Sequence, residues 1–334
     1  MRDRPTDLDE RDLIAACREG WAVTAVEVAY LPVGAGSYHW SVTDRLGAVW
    51  FVKVDDVERG AAYGPLERSY QTALALRRDA GLDFVVAPVP AGDGAVLRRL
   101  SPRYALSVFP MIAGSAGRFG PHRSEDLPEM AALLARLHLA TPAVASLAPH
   151  PDLRLPGRPG LHEALRELDR PWTAGPHAEP ARELLATHAG RVQRWLRTFD
   201  RLVGEVGDRT VITHGEPHPG NVMRTPDGLR LIDWGTAQLA PPERDLWMLT
   251  SAFADLAGDG GSRSPAESDA EVLARYIEAG GGPVTSAGLA LYRQWWVLAD
   301  IAAYTDDLRR PHGDGEDAAA ALHYLAGNLN SAFG

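Results

Sequence analysis

The segment THGEPHPGN, from Thr213 to Asn221, concentrates side chains that accept protons or bind cations. Glu216 carries a carboxylate that can accept a proton from an attacking hydroxyl, and Asn221 offers an amide oxygen suited to a hard cation. Asp233 follows in LRLIDW, and the TPDG turn between the two segments predicts a hairpin that brings Asn221 and Asp233 together. These residues predict a general base beside a magnesium site.

A zinc site is the competing interpretation of the same segment. Gly215 and Pro217 interrupt HGEPH, however, and they are incompatible with the helical H-E-x-x-H arrangement of zinc enzymes. Mg²⁺ needs few protein ligands when waters and substrate phosphates complete its coordination, which suits Asn221 and Asp233. The residues therefore favour magnesium over zinc.

A second group of candidate residues lies near the N-terminus. The turn LPVGAGSYHW contains Gly34, Gly36 and Ser37, and backbone N–H groups in such a turn can approach phosphates closely. Lys53 follows on the apolar strand AVWFVKVD and is the only lysine beside 33 arginines. An unpaired ammonium is costly in an apolar setting, so the expected partners are Glu67 in the next helix and nucleotide phosphates. A plain hairpin turn and a solvated edge-strand lysine are the alternatives.

The segments around these residues predict the elements that position them. Three strand-like segments, an amphipathic helix over residues 65–82 and two further strands predict a small antiparallel sheet with one packed helix. Beyond a glycine-rich linker, apolar residues recur with helical spacing to the C-terminus. We therefore expect an α+β chain with a nucleotide-binding N-lobe at residues 1–112. A mostly helical C-lobe at residues 113–334 would hold the catalytic loop, the metal site and the substrate-binding helices.

The composition excludes several classes of partner. The 334 residues carry a formal net charge of −10, and the basic residues are not clustered, which argues against a nucleic-acid partner. No apolar run is long enough for a membrane span, and the charged start does not resemble a signal peptide, so we expect a cytoplasmic protein with no membrane partner. Cys17 is the only cysteine, which excludes an intrachain disulfide. An acidic chain suits a cationic small molecule.

The segment HGEPHPGN with LIDW resembles the catalytic motif H-G-D-x-x-x-x-N … I-D of the aminoglycoside phosphotransferase family. The glycine turn, the strand lysine, the helix glutamate and the later PPERDLW extend the resemblance over most of the chain. APPERDLWML and WWVLADIAAYTDDL look most similar to the spectinomycin phosphotransferase subgroup. The resemblance implies a bilobal protein-kinase-like fold. It also implies an O-phosphotransferase that uses ATP or GTP with Mg²⁺ and modifies a hydroxyl of a small polar antibiotic.

The family pattern assigns roles to individual residues of this chain. Lys53 would bind the α- and β-phosphates with Glu67 as its ion-pair partner, while Asn221 and Asp233 would bind Mg²⁺. Asp245 would brace the catalytic loop, in which His214 would be a structural member. Three backbone positions would contact the purine as a hinge: Pro110, Met111 and Ile112.

Glu216 departs from the family pattern, which has aspartate at this position. The extra methylene moves the carboxylate by about 1.5 Å if the backbone is unchanged. Either Glu216 is a working base, which His218 could assist, or the protein is a nucleotide-binding regulator without catalysis. The presence of Lys53, Asn221 and Asp233 favours the enzyme.

The predicted substrate contacts lie near the C-terminus. Asp300 in WWVLADIAAYTDDL would face the amines of a cationic substrate, and Trp296 and Tyr304 would form apolar walls, with Glu216 at the reacting hydroxyl. An aminocyclitol or aminoglycoside antibiotic fits this set, and a nucleoside antibiotic or a choline-like compound is the alternative. Taken singly, the tryptophans also suit a core and the aspartates a solvated surface.

Overall fold

The computed structural model describes residues 1–58, 62–150, 153–257 and 268–331. Its contacts define two compact units, residues 1–150 with 209–283 and residues 151–208 with 284–334. The first unit therefore contains both the N-terminal sheet and the segment around Glu216, and the division into lobes at residue 112 stays a prediction. None of the helices in the described ranges has the length and apolar character needed to span a membrane.

The first unit begins with one helix and an antiparallel sheet. Its elements are α1 (Glu10–Trp21), β1 (Ala25–Leu31), β2 (Ser37–Asp44), β3 (Val49–Asp56), α2 (Tyr63–Arg78), β4 (Arg98–Arg99) and β5 (Tyr104–Pro110). The five strands are ordered β1-β2-β3-β5-β4, and each neighbouring pair is antiparallel. This is the small sheet with a packed helix that the sequence predicts, although the expected strand AVLRRL is reduced to Arg98–Arg99.

The two faces of this sheet differ in character because successive side chains of a strand point to opposite sides. On β3, Val52 and Val54 lie in the apolar core that also includes Leu13 and Cys17 of α1. The opposite face of β3 carries Phe51, Lys53 and Asp55. The register places His39 of β2 and Ser107 of β5 on either side of Lys53, and Ser37 beside Asp55. The sheet thus presents a polar row on the face away from α1.

The remaining elements alternate short strands with helices. In chain order they are β6 (Ser115–Ala116), α3 (Leu127–Leu139), α4 (Thr141–Val144), α5 (Arg158–Arg166), α6 (Ala178–Glu205), β7 (Val211–Thr213), β8 (Val222–Thr225), β9 (Gly228–Leu231), β10 (Gln238–Ala240), α7 (Glu243–Leu246), α8 (Ser251–Ala257), α9 (Asp269–Glu278), α10 (Ser286–Arg309) and α11 (Glu316–Asn330). β7 pairs with β10, and β8 forms a hairpin with β9. The hairpin expected from TPDG is therefore present.

The second unit is helical, as the sequence predicts. Helix α10 packs against α5, α6 and α11, and its buried residues include Leu298 and Ile301. Its N-terminus is capped by Thr285, whose side chain accepts a hydrogen bond from the Gly288 N–H. One side of α10 thus belongs to the core of this unit.

Candidate active site

Lys53 is the centre of a buried charge network in the first unit. Its ammonium Nζ lies 2.7 Å from Asp233 Oδ1 and 3.4 Å from Asp55 Oδ1. Burial opposes the charged form of Lys53, but the carboxylates of Asp233 and Asp55 outweigh it and raise the pKa of the lysine well above its usual value. The expected need of this lysine for anionic partners is met within the protein.

The ion pairs of Lys53 in the structure are with Asp233 and Asp55, and the predicted pair with Glu67 stays a prediction. On α2 the positions buried toward the sheet are Leu66, Tyr70 and Ala73, which share a helix face, whereas Glu67 is half-exposed. Successive helix residues are about 100° apart around the axis, so Glu67 lies about 60° from Tyr70, at the border of the buried face. Tyr70 takes the inward place, and its hydroxyl donates to Asp55 Oδ2 at 3.0 Å.

The glycine-rich turn joins β1 to β2 as expected. Gly34 and Gly36 have φ angles of +69° and +79°, which favour glycine. The Ser37 hydroxyl donates to Asp55 Oδ1 at 2.6 Å and therefore supports the lysine network. Contact of the backbone N–H groups of this turn with phosphates stays a prediction.

His39 is a member of this site that the sequence did not indicate. Its Nδ1 lies 2.9 Å from the Val33 carbonyl, so this nitrogen carries the hydrogen, and its ring packs on Phe51 with centroids 5.0 Å apart. Burial and then the charge of Lys53 lower the pKa of His39 to about 4. A neutral imidazole and an aromatic ring thus lie between the glycine turn and Lys53. Strand alternation from Lys53 could have identified Phe51, whereas His39 depends on the pairing of β2 with β3.

The hinge prediction needs one adjustment at Met111. The Met111 N–H donates to the Val49 carbonyl at 3.3 Å, because β3 and β5 continue to pair up to this point. It is therefore not available to a purine. Pro110 has no N–H, so Ile112 supplies the backbone donor of this segment, and its contact with a purine stays a prediction.

Asp245 braces the catalytic segment, as the resemblance implies. This fully buried carboxylate accepts from the backbone N–H groups of His214 (2.9 Å) and Gly215 (2.6 Å) and from His138 Nε2 (3.1 Å). Gly215 has a φ of +98°, and a Cβ at this position would overlap the Arg244 guanidinium. Asp245 therefore holds the backbone before Glu216 on one side and Arg244 packs against it on the other. Position 215 requires glycine.

His214 has the structural role that was expected of it. Its Nδ1 accepts from the Glu216 N–H at 3.2 Å, so the ring hydrogen is on Nε2, which donates to the Ile232 carbonyl at 2.9 Å. Burial lowers the pKa of this histidine and keeps it neutral. His214 thereby joins the segment that carries Glu216 to the strand end that carries Asp233.

Glu216 has the proton affinity of a general base. Burial first, and then the negative charge of Asp233, raise its pKa to about 7, against the opposing charges of Arg244 and Lys53. A carboxylate with this pKa is partly ionised near neutral pH and can take up a proton. His218 has no such property, because burial and the neighbouring histidines lower its pKa to about 3, and its Nδ1 accepts from the Gly220 N–H.

Asn221 and Asp233 are brought together by the β8–β9 hairpin. The Ile232 N–H donates to the Asn221 carbonyl at 3.0 Å, which places Asp233 next to Asn221. The Asn221 side-chain Nδ2 donates to the Glu216 carbonyl at 3.0 Å, so the amide is oriented with its oxygen on the other side. Asp233 is held at a φ of +64°, an uncommon conformation for a residue with a side chain.

These two side chains fit a hard divalent cation. Burial opposes ionisation of Asp233, but the ammonium of Lys53 outweighs it and lowers the pKa to about 2, so the carboxylate is charged. It keeps 40% of its side-chain surface exposed while one oxygen contacts Lys53. No group of three or more His, Cys, Asp or Glu side chains surrounds a common position in the described ranges. A cation here would complete its coordination with phosphates and water, as Mg²⁺ does.

Comparison with known proteins assigns the chain to a family. A sequence profile of the APH phosphotransferase enzyme family matches residues 29–295. The chain belongs to this family. It is 29% identical over 303 residues to Protein StrN of Streptomyces griseus, covering 87% of this chain and 82% of that protein. It is therefore a phosphotransferase with an alcohol group as acceptor, and the prediction of an enzyme of this family is confirmed.

Solved structures confirm the kinase-like α+β fold. The spectinomycin phosphotransferase APH(9)-Ia, solved with ADP and spectinomycin, superposes with a TM-score of 0.72 at 17% identity over 96% of this chain and 94% of that one. A microcompartment-associated aminopropanol kinase gives a TM-score of 0.63 at 17% identity over 96% and 95% of the two chains. The phosphotransferase thus has the kinase-like fold that the sequence predicts.

The predicted substrate residues of the phosphotransferase lie on α10 in the second unit. Trp296, Asp300 and Tyr304 are four residues apart, so they form one stripe along the helix, and each is half-exposed. Asn328 Nδ2 lies 3.3 Å from Asp300 Oδ2, and the Tyr304 ring stacks on Tyr324 with centroids 5.8 Å apart. Their contact with a substrate stays a prediction.

Proposed function

We propose that this phosphotransferase transfers the γ-phosphoryl group of ATP or GTP to a hydroxyl of a cationic aminocyclitol or aminoglycoside antibiotic. One observation carries the proposal: the Glu216 backbone carbonyl accepts from Asn221 Nδ2, and Asp233, next to Asn221, forms the ion pair with Lys53. The charges of Asp233 and Lys53 both act on the Glu216 carboxylate, whose pKa is about 7. A base, a cation site and a phosphate-binding lysine are the parts that phosphoryl transfer to an alcohol requires.

Each residue of this set has a distinct task. Glu216 would accept the proton of the attacking hydroxyl, and the extra methylene relative to aspartate is compatible with a reaction that depends mainly on positioning. Lys53 would hold nucleotide phosphates, and Asn221 and Asp233 would hold Mg²⁺. Bound nucleotide and Mg²⁺ would supply the phosphoryl group and neutralise the charge that develops on its oxygens. Because the reaction needs nucleotide, we also propose a cytoplasmic location.

The acidic character of the protein supports a cationic acceptor. Its net charge of −10 attracts cations, and the α10 stripe combines the Asp300 carboxylate with the rings of Trp296 and Tyr304. An uncharged nucleoside antibiotic would use the rings but not the charge of the carboxylate. A choline-like compound would use both and is the second candidate.

The test is phosphorylation of a panel of acceptors by the purified protein. ATP and GTP are supplied separately with Mg²⁺ to spectinomycin, other aminocyclitols, aminoglycosides, nucleoside antibiotics and choline, and products are weighed by mass spectrometry. The proposal expects one aminocyclitol or aminoglycoside to gain the mass of one phosphate. Phosphorylation of choline or a nucleoside alone would contradict the acceptor class. Tight nucleotide binding without transfer to any acceptor would instead support a regulator without catalysis.

A further inference from the structure

We propose that Asp55 is the residue that positions Lys53 for nucleotide phosphates, in the place that the family pattern gives to a glutamate of the following helix. The proposal rests on the proposed function only in assigning nucleotide phosphates to Lys53. It makes Asp55 a positioning residue that also joins the lysine to the glycine-rich turn and to α2.

The strand itself brings the two charges together. Lys53 and Asp55 are two residues apart on β3, so they share one face, and their Nζ and Oδ1 atoms are 3.4 Å apart. Only 7% of the lysine side chain and 11% of the aspartate side chain are exposed. A carboxylate removed from water to this extent requires partners, and Lys53 supplies the opposite charge.

Asp55 has two further hydrogen bonds, each from a different element. Ser37, the first residue of β2 after the glycine turn, donates from Oγ to Oδ1 at 2.6 Å. Tyr70 of α2 donates from its hydroxyl to Oδ2 at 3.0 Å. One carboxylate therefore fixes the end of the turn, the lysine strand and the helix relative to one another.

Asp233 cannot do this alone, although its contact with Lys53 is shorter, at 2.7 Å. Its side chain is 40% exposed and has the chemistry of a cation ligand. If Asp233 also held a cation, its attraction for the Lys53 ammonium would be weaker. Asp55 is then the buried protein anion that keeps the ammonium directed along β3, while Glu67 lies half-exposed at the border of the buried face of α2.

The test replaces Asp55 by asparagine, which preserves size and removes the charge. Asp56→Asn is the matched control, because Asp56 is the next carboxylate on β3 and pairs with Arg103 at 2.7 Å. Glu67→Gln tests whether Glu67, the partner that the family pattern gives to Lys53, positions the lysine instead of Asp55. We expect Asp55→Asn to lower kcat/KM for nucleotide by about ten- to a hundredfold, the range of a lost hydrogen bond to a charged group. Acceptor KM should stay constant, and both other variants should stay within about twofold of wild type.

A second readout separates positioning from general stability and does not depend on the acceptor. Lys53 is the only lysine, so protein grown with ¹³C-labelled lysine gives one side-chain signal that needs no assignment. In the wild type, a fixed ammonium should give distinct shifts for the two Hε protons. Asp55→Asn should merge them toward the averaged value of a mobile lysine, and Asp56→Asn and Glu67→Gln should not.

Two outcomes would overturn the proposal. One is an Asp55→Asn protein with wild-type nucleotide kinetics and an unchanged lysine signal. The other is loss of the fixed signal in Glu67→Gln alone. If Asp55→Asn does not fold, Tyr70→Phe removes one hydrogen bond to Asp55 and keeps the charge, and it should weaken nucleotide binding by about three- to tenfold. Unchanged nucleotide binding and an unchanged lysine signal in Tyr70→Phe would then count equally against it.

Discussion

Asp245 in the first unit and Asp306 in the second are both carboxylates in segments that carry the family resemblance, yet their surroundings differ. Asp245 is fully buried and accepts from two backbone N–H groups and from His138. Asp306 pairs with Arg310 at 2.6 Å, and 45% of each side chain is exposed. An exposed ion pair of this kind contributes about 0–1 kcal/mol, whereas removal of one partner from a buried set leaves polar groups unsatisfied.

The same difference separates the two regions as a whole. Around Lys53 and Glu216, buried groups hold one another in fixed positions and have shifted pKa values, which is the state expected of preorganised catalytic groups. Along α10, the candidate side chains are half-exposed, and Asp300 and Tyr304 contact α11. The first region therefore has the fixed geometry that a catalytic site needs, whereas the second has exposed groups that a ligand could contact.

The largest effect in the first region is expected for Asp233→Asn. This change weakens the cation site and removes the charge that faces Lys53, so kcat/KM should fall by at least about 10³-fold. The measurement is phosphate transfer over a range of Mg²⁺ concentrations, with circular dichroism to establish that the fold is retained. Wild-type turnover at low Mg²⁺ would show that Asp233 is not a cation ligand.

Glu216→Gln is expected to lower kcat by about 10²-fold or more, because the amide keeps the size of the side chain but cannot accept the proton. Nucleotide affinity should change little, since it rests on other residues. Glu216→Asp restores the residue usual in the family but withdraws the carboxylate, and a site built around glutamate should lose rate. Equal turnover in wild type, Glu216→Gln and Glu216→Asp would remove Glu216 from the chemistry.

How much of these two regions the sequence could predict depends on the range of the interactions. The glycine turn, the β8–β9 hairpin and the Asp245 brace follow from local pattern or from the family motif. The motif names Glu67 as the partner of Lys53, but it does not show that Asp233 and Asp55 also pair with this lysine. The role of His39 depends on the pairing of β2 with β3, and that of Asp55 on contacts with Ser37 and Tyr70, none of which the sequence specifies.

The pH dependence of transfer gives a smaller test of the first region. With a pKa of about 7, Glu216 is ionised above that pH, and a base acts only when ionised. The value of kcat/KM for the acceptor should therefore rise with pH up to about 7 and then level off. The kcat/KM of Glu216→Gln should not show this rise with pH. A wild-type profile that is flat between about pH 5.5 and 8 would contradict the assignment.

The smallest effect is expected on α10, where Asp300→Asn tests whether this face contacts a cationic acceptor. Asp300 is half-exposed and contacts Asn328 Nδ2 at 3.3 Å, and asparagine preserves the size of the side chain, so stability and nucleotide KM should change little. Loss of a half-exposed charge from an amine contact should raise acceptor KM by about three- to tenfold, with kcat nearly constant. Asp306→Asn is the matched control on the same helix, because its carboxylate is already paired with Arg310. The difference between the two variants should shrink as salt is added, since screening weakens exposed charge pairs. Equal acceptor KM in both variants at low salt would mean that α10 is only a packing helix and that selectivity for the acceptor lies elsewhere.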